Sequence, residues 1–161
     1  MIIHKTKGDI LIDDEDAGLS TGLCIKTKAN GYLCVSRKIK GKNKTLARLI
    51  MNAPSGMEVD HKNHNTLDNR RCNLRVCTHT QNHRNNNGLS TRKGSKYKGV
   101  TFFDRVKYFP LKPIGKQWRA YTRINGKRVW FGYYQTEEEA ARAYNENALR
   151  LFGEYACLNA V

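Results

Sequence analysis

The pair Asn125-Gly126 constrains the fold of this chain more than any other short segment, because strand-forming residues flank it on both sides. Both residues tolerate the positive φ angles of a type I′ turn, so the pair predicts a β-hairpin between 118–124 and 127–134. A two-residue turn also determines which residues face one another across the hairpin. The predicted pairs are Ile124 with Lys127, Arg123 with Arg128 and Tyr121 with Trp130.

Side chains alternate between the two faces of a strand, so this register predicts one apolar and one basic side. The apolar side is expected to hold Trp118, Ala120, Ile124, Val129, Phe131 and Tyr133. The opposite side is expected to hold Arg119, Tyr121, Arg123, Arg128 and Trp130. The hairpin therefore predicts a sheet with a core on one side and arginines set among aromatic rings on the other.

A helix is predicted directly after the hairpin. Thr136 and Glu139 have the spacing of a capping box, and Gly153 is a typical C-terminal stop. Apolar residues recur between them at helical spacing, namely Ala140, Ala141, Tyr144, Ala148, Leu151 and Phe152. A hairpin alone is marginally stable, so 97–102 is expected to add a third strand, with Phe103–Gly115 as an exposed loop. The C-terminal part thus predicts a small three-stranded antiparallel sheet packed on one α-helix.

The segment 57–86 holds most of the metal-capable and proton-transferring side chains of the chain. Residues 57–60 and 73–77 predict short strands on either side of an Asn-rich loop. The spacing of Thr78 and Gln81 predicts a capped helix start immediately afterwards. This order of strand, loop, strand and helix is expected to bring the polar side chains of the segment towards each other.

Four of these side chains suit metal-dependent phosphodiester hydrolysis. A hard divalent cation such as Mg²⁺ prefers oxygen ligands, and Asp60 and the side-chain oxygen of Asn82 are the candidate ligands. His61 is the candidate base that takes a proton from a water attacking phosphorus, since the ordinary histidine pKa is about 6.5. Asn73 is expected to hydrogen-bond the loop and to orient the imidazole. The predicted cofactor is one divalent metal, Mg²⁺ or Mn²⁺.

Two other interpretations of the segment stay open. An Asp-His pair in an Asn-rich loop is compatible with a capped turn that has no catalytic role, because asparagine favours turns for backbone reasons alone. Structural zinc held by Cys72 and Cys77 is a weaker alternative, since the chain has no second close pair of cysteines.

The charge balance predicts a polyanionic partner. The chain has 29 basic and 14 acidic residues, which give a net charge of +15. No apolar run is long enough for a membrane span and no signal peptide is present, so we expect a cytosolic location and no membrane partner. Five cysteines without repeated close pairs agree with a reducing compartment. Charge alone does not distinguish nucleic acid from anionic lipid, and no obligate protein partner is evident.

The polar segment also carries a family resemblance, in the motifs Val59-Asp60-His61, Asn65–Arg70, Asn73-Leu74-Arg75 and Gln81-Asn82. Their spacing resembles the HNH endonucleases, specifically the phage and intron-type homing branch whose third motif residue is asparagine. The resemblance implies a ββα-metal fold. It also implies His61 as the general base, Asp60 and Asn82 as ligands of one divalent metal, and Asn73 as a support of the loop.

A second resemblance lies in the C-terminal part, in the motifs Tyr97–Val100, Trp118–Ala120, Arg128–Gly132 and Glu138–Tyr144. They resemble the plant APETALA/ethylene-response-factor DNA-binding domain, whose sheet lies in the major groove. The resemblance implies DNA contacts from Lys98, Tyr121, Arg123, Arg128 and Trp130. Arg119 is expected to point from the same side of the sheet.

The predicted fold class is α+β, with an HNH nuclease domain at 1–86, a basic linker at 87–96 and a DNA-binding domain at 97–161. The leading functional hypothesis, which follows from the two resemblances, is a site-specific DNA endonuclease of the homing type. The expected partner is double-stranded DNA. A DNA-binding regulator with a degenerate nuclease module is the alternative, motivated by Ala47 and His64, where the family commonly has other residues. Binding of structured RNA through the same basic sheet is a third hypothesis.

Overall fold

A computed structural model describes residues 1–29, 31–86, 94–103 and 117–161 of the chain. The chain divides into two compact units, an N-terminal unit of residues 1–83 and a C-terminal unit of residues 84–161. No helix in these described ranges is long and apolar enough to cross a membrane.

Two of the predicted connecting segments fall mostly outside the described residues. Of the predicted exposed loop Phe103–Gly115, only Phe103 is described. Of the predicted linker 87–96, only residues 94–96 are described.

The N-terminal unit begins with small antiparallel sheets. One sheet pairs β1 (Ile2–Ile3) with β2 (Ile10–Leu11), and another has the order β3 (Leu23–Thr27), β4 (Leu33–Ile39) and β5 (Lys42–Thr45). A 3-10 turn at Asp14–Leu19 lies between the two sheets in sequence, and helix α1 (Leu46–Ile50) follows β5. The short apolar run before Pro54 thus forms a helix of five residues.

The candidate catalytic segment forms strand β6 (Glu58–His61), strand β7 (Leu74–Cys77) and helix α2 (His79–Asn85). The two strands are antiparallel, and their register pairs Glu58 with Cys77, Val59 with Val76, Asp60 with Arg75 and His61 with Leu74. At the helix start, the Thr78 main-chain N–H donates to Gln81 Oε1 at 2.8 Å, and the Gln81 N–H donates to Thr78 Oγ1 at 3.3 Å. The predicted capping box is thus formed.

One apolar core anchors this segment to the rest of the N-terminal unit. Its buried residues are Ile10, Ile12, Leu23, Val35, Leu46, Ala47, Ile50 and Leu74. Leu74 brings β7 into that core, and Val59 of β6 packs against it. The face of the β6–β7 hairpin that holds Val59 and Leu74 therefore lies on the core, and Glu58, Asp60 and Arg75 extend from the opposite face.

The C-terminal unit is an antiparallel sheet with the order β10 (Lys127–Tyr134), β9 (Gln117–Ile124) and β8 (Val100–Phe103). Helix α3 (Glu137–Phe152) packs on it, capped at its start by Thr136 and Glu139 as predicted. The buried core consists of Val100, Ala120, Ala140, Ala141, Tyr144 and Ala148. Leu151 differs from its prediction as a core residue, because it lies on the outer side of the helix and is 40% exposed.

The hairpin register confirms the prediction up to Trp130 and then departs from it. Ile124 faces Lys127, Arg123 faces Arg128 and Tyr121 faces Trp130, as predicted. A β-bulge follows, because Gly132 rather than Phe131 faces Ala120. The extra residue shifts the alternation, so Tyr133 faces Arg119 and is 53% exposed. The prediction that Tyr133 belongs to the apolar side was therefore wrong.

Gly99 is required by the close approach of helix α3 to the sheet. A Cβ at this position would lie 2.1 Å from Tyr144 Cδ2 and 2.6 Å from the Tyr121 main-chain oxygen, and its φ is +71°. We expect Gly99→Ala to lower the free energy of unfolding of the C-terminal unit by about 3 kcal/mol or more. Both tryptophans lie in this unit, so urea unfolding followed by tryptophan fluorescence measures the change.

Gly126→Ala is the matched control for this prediction. Gly126 has a similar φ of +77°, but a Cβ there would meet no atom within 4 Å. The substitution should cost only the backbone strain, about 1 kcal/mol. Equal losses in the two variants would contradict the argument from close packing.

Candidate active site and nucleic-acid interface

Asp68 holds the polar loop between β6 and β7. Its buried carboxylate accepts two hydrogen bonds from the Arg70 guanidinium, each at 2.8 Å, and one from the Asn63 side-chain amide at 3.0 Å. The hydrogen bond from Arg70 holds the pKa of the Asp68 carboxyl below its ordinary value. The main chain of Asp68 forms a bridge with Leu11 of β2. The loop is therefore tied to the first sheet by polar contacts.

Asn73 closes the same loop at its other end. Its Oδ1 accepts a hydrogen bond from the Asn63 main-chain N–H at 3.0 Å, and its Nδ2 donates to the Asp68 main-chain oxygen at 2.7 Å. The Asn73 main-chain oxygen accepts from the Lys62 N–H at 2.9 Å. Both ends of this buried amide thus bond to the loop backbone. The His61 ring contacts the side chain of Asn69.

His61 ends β6 and is partly buried. Its Nε2 lies 3.3 Å from Oδ1 of Asn69, whose Nδ2 donates to the Thr66 main-chain oxygen at 3.2 Å. An amide oxygen only accepts, so this contact assigns the proton of the neutral ring to Nε2 and the basic lone pair to Nδ1. Burial lowers the pKa of His61, and the contact with Asn69 opposes that shift.

Asp60 forms a buried ion pair with Arg75. Its Oδ2 accepts hydrogen bonds from Arg75 Nε at 2.9 Å and from Arg75 Nη2 at 2.6 Å. Both side chains are 8% exposed. Removal of either partner would leave an uncompensated buried charge, which costs about 3–5 kcal/mol. Asp60 therefore contributes to the stability of the hairpin whatever else it binds.

Glu58 holds two side chains of helix α2. Its Oε2 accepts from Nδ2 of Asn82 at 2.6 Å, and its Oε1 lies 2.7 Å from Nδ1 of His79. These hydrogen bonds, that from Asn82 first, hold the pKa of the Glu58 carboxyl below its ordinary value. A carboxylate only accepts hydrogen bonds, so the NH₂ of Asn82 must face Glu58 and its Oδ1 must point away.

The oxygen donors of these residues lie on one side of the hairpin. Glu58 and Asp60 are two residues apart on β6, so their side chains leave the same face of the strand. Asn82 contacts Glu58 and so belongs to the same side. Two carboxylates and an amide oxygen are the donors that Mg²⁺ and Mn²⁺ prefer. The donor chemistry of this face therefore fits the predicted metal.

A separate acidic cluster is paired with Arg71. Asp13, Glu15 and Asp16 are the one group of metal-capable side chains that lie close enough together to hold an ion, among the described residues searched. Arg71 bonds to all three, to Asp13 through its main-chain N–H, to Glu15 through Nε at 2.6 Å and to Asp16 through Nη2 at 2.7 Å. The cluster therefore ties the 3-10 turn to the β6–β7 loop. Neither cysteine of the zinc alternative belongs to such a group.

The outer side of the C-terminal sheet combines positive charge with aromatic rings. We call it the basic face and define it by Phe103, Arg119, Tyr121, Arg123, Arg128, Trp130 and Tyr133. Tyr121 and Trp130 have ring centroids 5.2 Å apart, and the Arg128 guanidinium lies 5.4 Å and 5.8 Å from the two rings. Arg123, Arg128 and Trp130 are exposed. Strands β8, β9 and β10 contain no acidic residue.

Lys98 differs from the other predicted DNA contacts. Its ammonium donates to the main-chain oxygens of Arg84 and Asn86, and burial lowers its pKa. The main-chain N–H and oxygen of Lys98 both bond to the Asn159 side chain. In this structure the Lys98 side chain therefore stabilises its own unit, whereas the arginines of the basic face point outward.

The sequence alone does not single out several residues of these sites, among them Glu58, Asn69, Phe103 and Tyr133. Glu58 precedes Asp60 by two positions on a strand, which is the spacing of residues on one face. No local pattern distinguishes Asn69 from the turn-forming asparagines around it. Tyr133 reaches the basic face only because of the β-bulge, for which the Gly132 that follows Phe131 is the available signal.

Comparisons with known proteins give a family match within the candidate catalytic segment. Residues 52–84 match the family model described as HNH endonuclease. An uncharacterized HNH endonuclease of Acanthamoeba polyphaga mimivirus is 34% identical over 108 residues, which is 67% of this chain and 50% of that protein. The chain thus contains a segment that matches the HNH endonuclease model, and it spans half the length of this relative.

Two plant proteins show partial similarity. An ethylene-responsive transcription factor of Arabidopsis thaliana is 34% identical over 80 residues, 49% of this chain and 19% of that protein. A protein of Oryza sativa subsp. japonica, named for AP2/ERF and B3 domains, is 40% identical over 70 residues, 44% of this chain and 19% of that protein. No solved structure matches the chain significantly.

The loop contacts of Asn73 predict a local effect of its removal. Asn73→Ala would leave the Asn63 N–H and the Asp68 main-chain oxygen without their partner, at a cost of about 2–4 kcal/mol. We expect hydrogen exchange at the Asn63 amide, measured by NMR, to accelerate at least about tenfold. Asn43→Ala, at an exposed site on β5, is the control and should leave this exchange unchanged. Unaltered protection of Asn63 in Asn73→Ala would show that the side chain does not hold the loop.

Proposed function

We propose that the protein is a site-specific DNA endonuclease of the homing type, which hydrolyses phosphodiester bonds with the help of one divalent metal. The observation that carries this proposal is that Asp60, His61 and Asn82 occur on a strand and a helix within the segment that matches the HNH endonuclease family model. The basic face on the C-terminal unit supports DNA as the substrate. The separation of the two sets of residues supports recognition by one unit and cleavage by the other.

In this proposal His61 is the general base. Nδ1 of its neutral ring accepts a proton from a water molecule, whose oxygen forms a bond to phosphorus while the bond from phosphorus to the leaving sugar oxygen breaks. Asn69 keeps the other ring proton on Nε2 and so maintains the tautomer that leaves Nδ1 basic. Asn73 acts indirectly, because its side chain holds the loop that carries Asn69.

Asp60 and Asn82 would hold the metal in the same proposal, on the oxygen-rich side of the β6–β7 hairpin. Bound Mg²⁺ or Mn²⁺ supplies positive charge that stabilises the attacked phosphate and the leaving oxygen. Asp60 would share its carboxylate between this ion and Arg75. Glu58 would orient the amide of Asn82 so that Oδ1 is the end presented to the ion.

The C-terminal unit would supply the target preference. Arg123 and Arg128 extend from a sheet without acidic residues, so the phosphates of a duplex would meet no repulsive charge on its strands. Trp130 and Tyr121 would pack against sugar or base edges between these arginines. The alternative of a regulator with a degenerate nuclease segment is not favoured, because Asp60, His61, Asn73 and Asn82 are all retained.

The first test concerns the base. His61→Ala should reduce nicking of supercoiled plasmid in Mg²⁺ by at least about 100-fold, because proton abstraction contributes about 10²–10⁴-fold to such reactions. His4→Ala is the control, since His4 is an exposed histidine of the same unit paired with Asp9. Full nicking by His61→Ala would remove His61 from the catalytic role. Absence of nicking by the unaltered protein with every divalent metal would favour the regulator instead.

The second test separates binding from cleavage. Arg123→Ala and Arg128→Ala should each weaken binding to duplex DNA and reduce its dependence on salt, because each removes a positive charge from the interface. The affinity for Mn²⁺, followed by electron paramagnetic resonance, should remain unchanged in both variants. Gel-shift titrations at several salt concentrations measure the first effect, with Lys42→Ala, an exposed lysine of the other unit, as the control. DNA binding that hardly depends on salt, or equal loss in the control, would contradict this assignment of the basic face.

A further inference from the structure

Arg119 lies among three aromatic rings on the basic face. Its guanidinium carbon is 3.9 Å from the centroid of the Phe103 ring, 4.3 Å from that of Trp130 and 6.0 Å from that of Tyr133. Phe103 and Tyr133 also contact each other, with ring centroids 6.0 Å apart. We call Phe103, Trp130 and Tyr133 the aromatic cradle. The other arginines of the face differ from Arg119, because Arg123 and Arg128 are exposed whereas Arg119 is half-buried.

The aromatic cradle depends on the β-bulge in β10. If β10 paired regularly through Phe131, Tyr133 would face Trp118 on the side of helix α3, as the sequence alone predicts. With the bulge, Tyr133 faces Arg119 across the hairpin and joins Trp130 on the same side. The bulge therefore adds a ring to the basic face at the position of Arg119.

The Nε donor of the Arg119 guanidinium is buried, and no described residue accepts a hydrogen bond from it. No acidic side chain on β8, β9 or β10 is available to pair with it. Stacking on aromatic rings restrains a guanidinium without consuming its in-plane donors. With Nε enclosed, the two terminal nitrogens are the donors left for a ligand.

We infer that Arg119 is a specificity-determining residue that recognises a guanine edge of duplex DNA through its two terminal nitrogens. The inference rests on the proposed function, since it assigns a role within the DNA-binding face. A planar, restrained fork of two donors matches the O6 and N7 acceptors of guanine in the major groove. Phosphate neutralisation requires only charge, which Arg123, Lys127 and Arg128 already supply from exposed positions. The cradle restrains the one arginine whose orientation matters for base discrimination.

Arg119→Lys is the central variant for testing this inference. It keeps the positive charge but loses the planar stacking and the paired donors. Sites selected by the full-length protein from randomised duplexes, in the presence of Ca²⁺ to prevent cleavage, should contain one G·C pair whose preference disappears in Arg119→Lys. Affinity for the selected duplex should fall about 10- to 100-fold, while affinity for a scrambled duplex and the slope of its salt dependence should not change. Arg142→Lys, an exposed position on α3, is the charge-matched control.

Phe103→Leu and Tyr133→Leu test the aromatic cradle without altering Arg119. Each should weaken binding to the selected duplex several-fold and leave binding to the scrambled duplex unchanged. Far-UV circular dichroism and thermal unfolding identify any variant that has lost its fold. If Arg119→Lys is unfolded, the two cradle variants decide the question by the same comparison of duplexes.

The outcomes separate this inference from the proposed function. If the unaltered protein binds no duplex, the proposed function fails. If it selects a site that Arg119→Lys selects equally well, the role of Arg119 fails while the function stands. Equal losses of affinity for selected and scrambled duplexes in Arg119→Lys would make Arg119 a phosphate contact and overturn the inference. Unchanged discrimination in both folded cradle variants would likewise contradict the role of the rings.

Discussion

The candidate active site depends on the hydrogen bonds that close the loop between β6 and β7. This loop has almost no apolar side chains, so hydrophobic burial cannot determine its shape. Asp68 and Asn73 replace that burial with a polar network in which each member has a partner. The cost of leaving such buried groups unpaired makes the network cooperative. The position of Asn69, and through it the tautomer of His61, follows from this closure.

Structural elements that depend on a few neighbouring residues, such as turns and helix caps, could be predicted from the sequence. The turn at Asn125-Gly126 determined the register as far as Trp130, and both capping boxes formed where their spacing indicated. Long-range contacts were not predictable in the same way. The β-bulge depends on how β10 and β9 pack together, and the ion pair of Asp60 with Arg75 depends on a strand register that no turn signal specifies. The contact of Asn69 with His61 arises only once the loop has closed.

Buried ion pairs and exposed arginines have different consequences in the two units. In the N-terminal unit, Arg75 and Arg71 are committed to carboxylates of their own chain, so their charges contribute to folding. In the C-terminal sheet the strands contain no acidic residue, so their charges remain available for an external anion. How much of the net charge of +15 is available to a partner therefore depends on which charges are paired within the chain, and not on composition alone.

The β-bulge after Trp130 makes the composition of the basic face depend on strand register as well as on residue type. Residues of β10 before the bulge follow one parity and those after it follow the other, so Tyr133 and Tyr134 would exchange sides if β10 paired regularly through Phe131. Loss of the bulge would therefore change the recognition surface while every side chain was retained. The gain or loss of a bulge at this position is a route by which related sheets could present different rings to their targets.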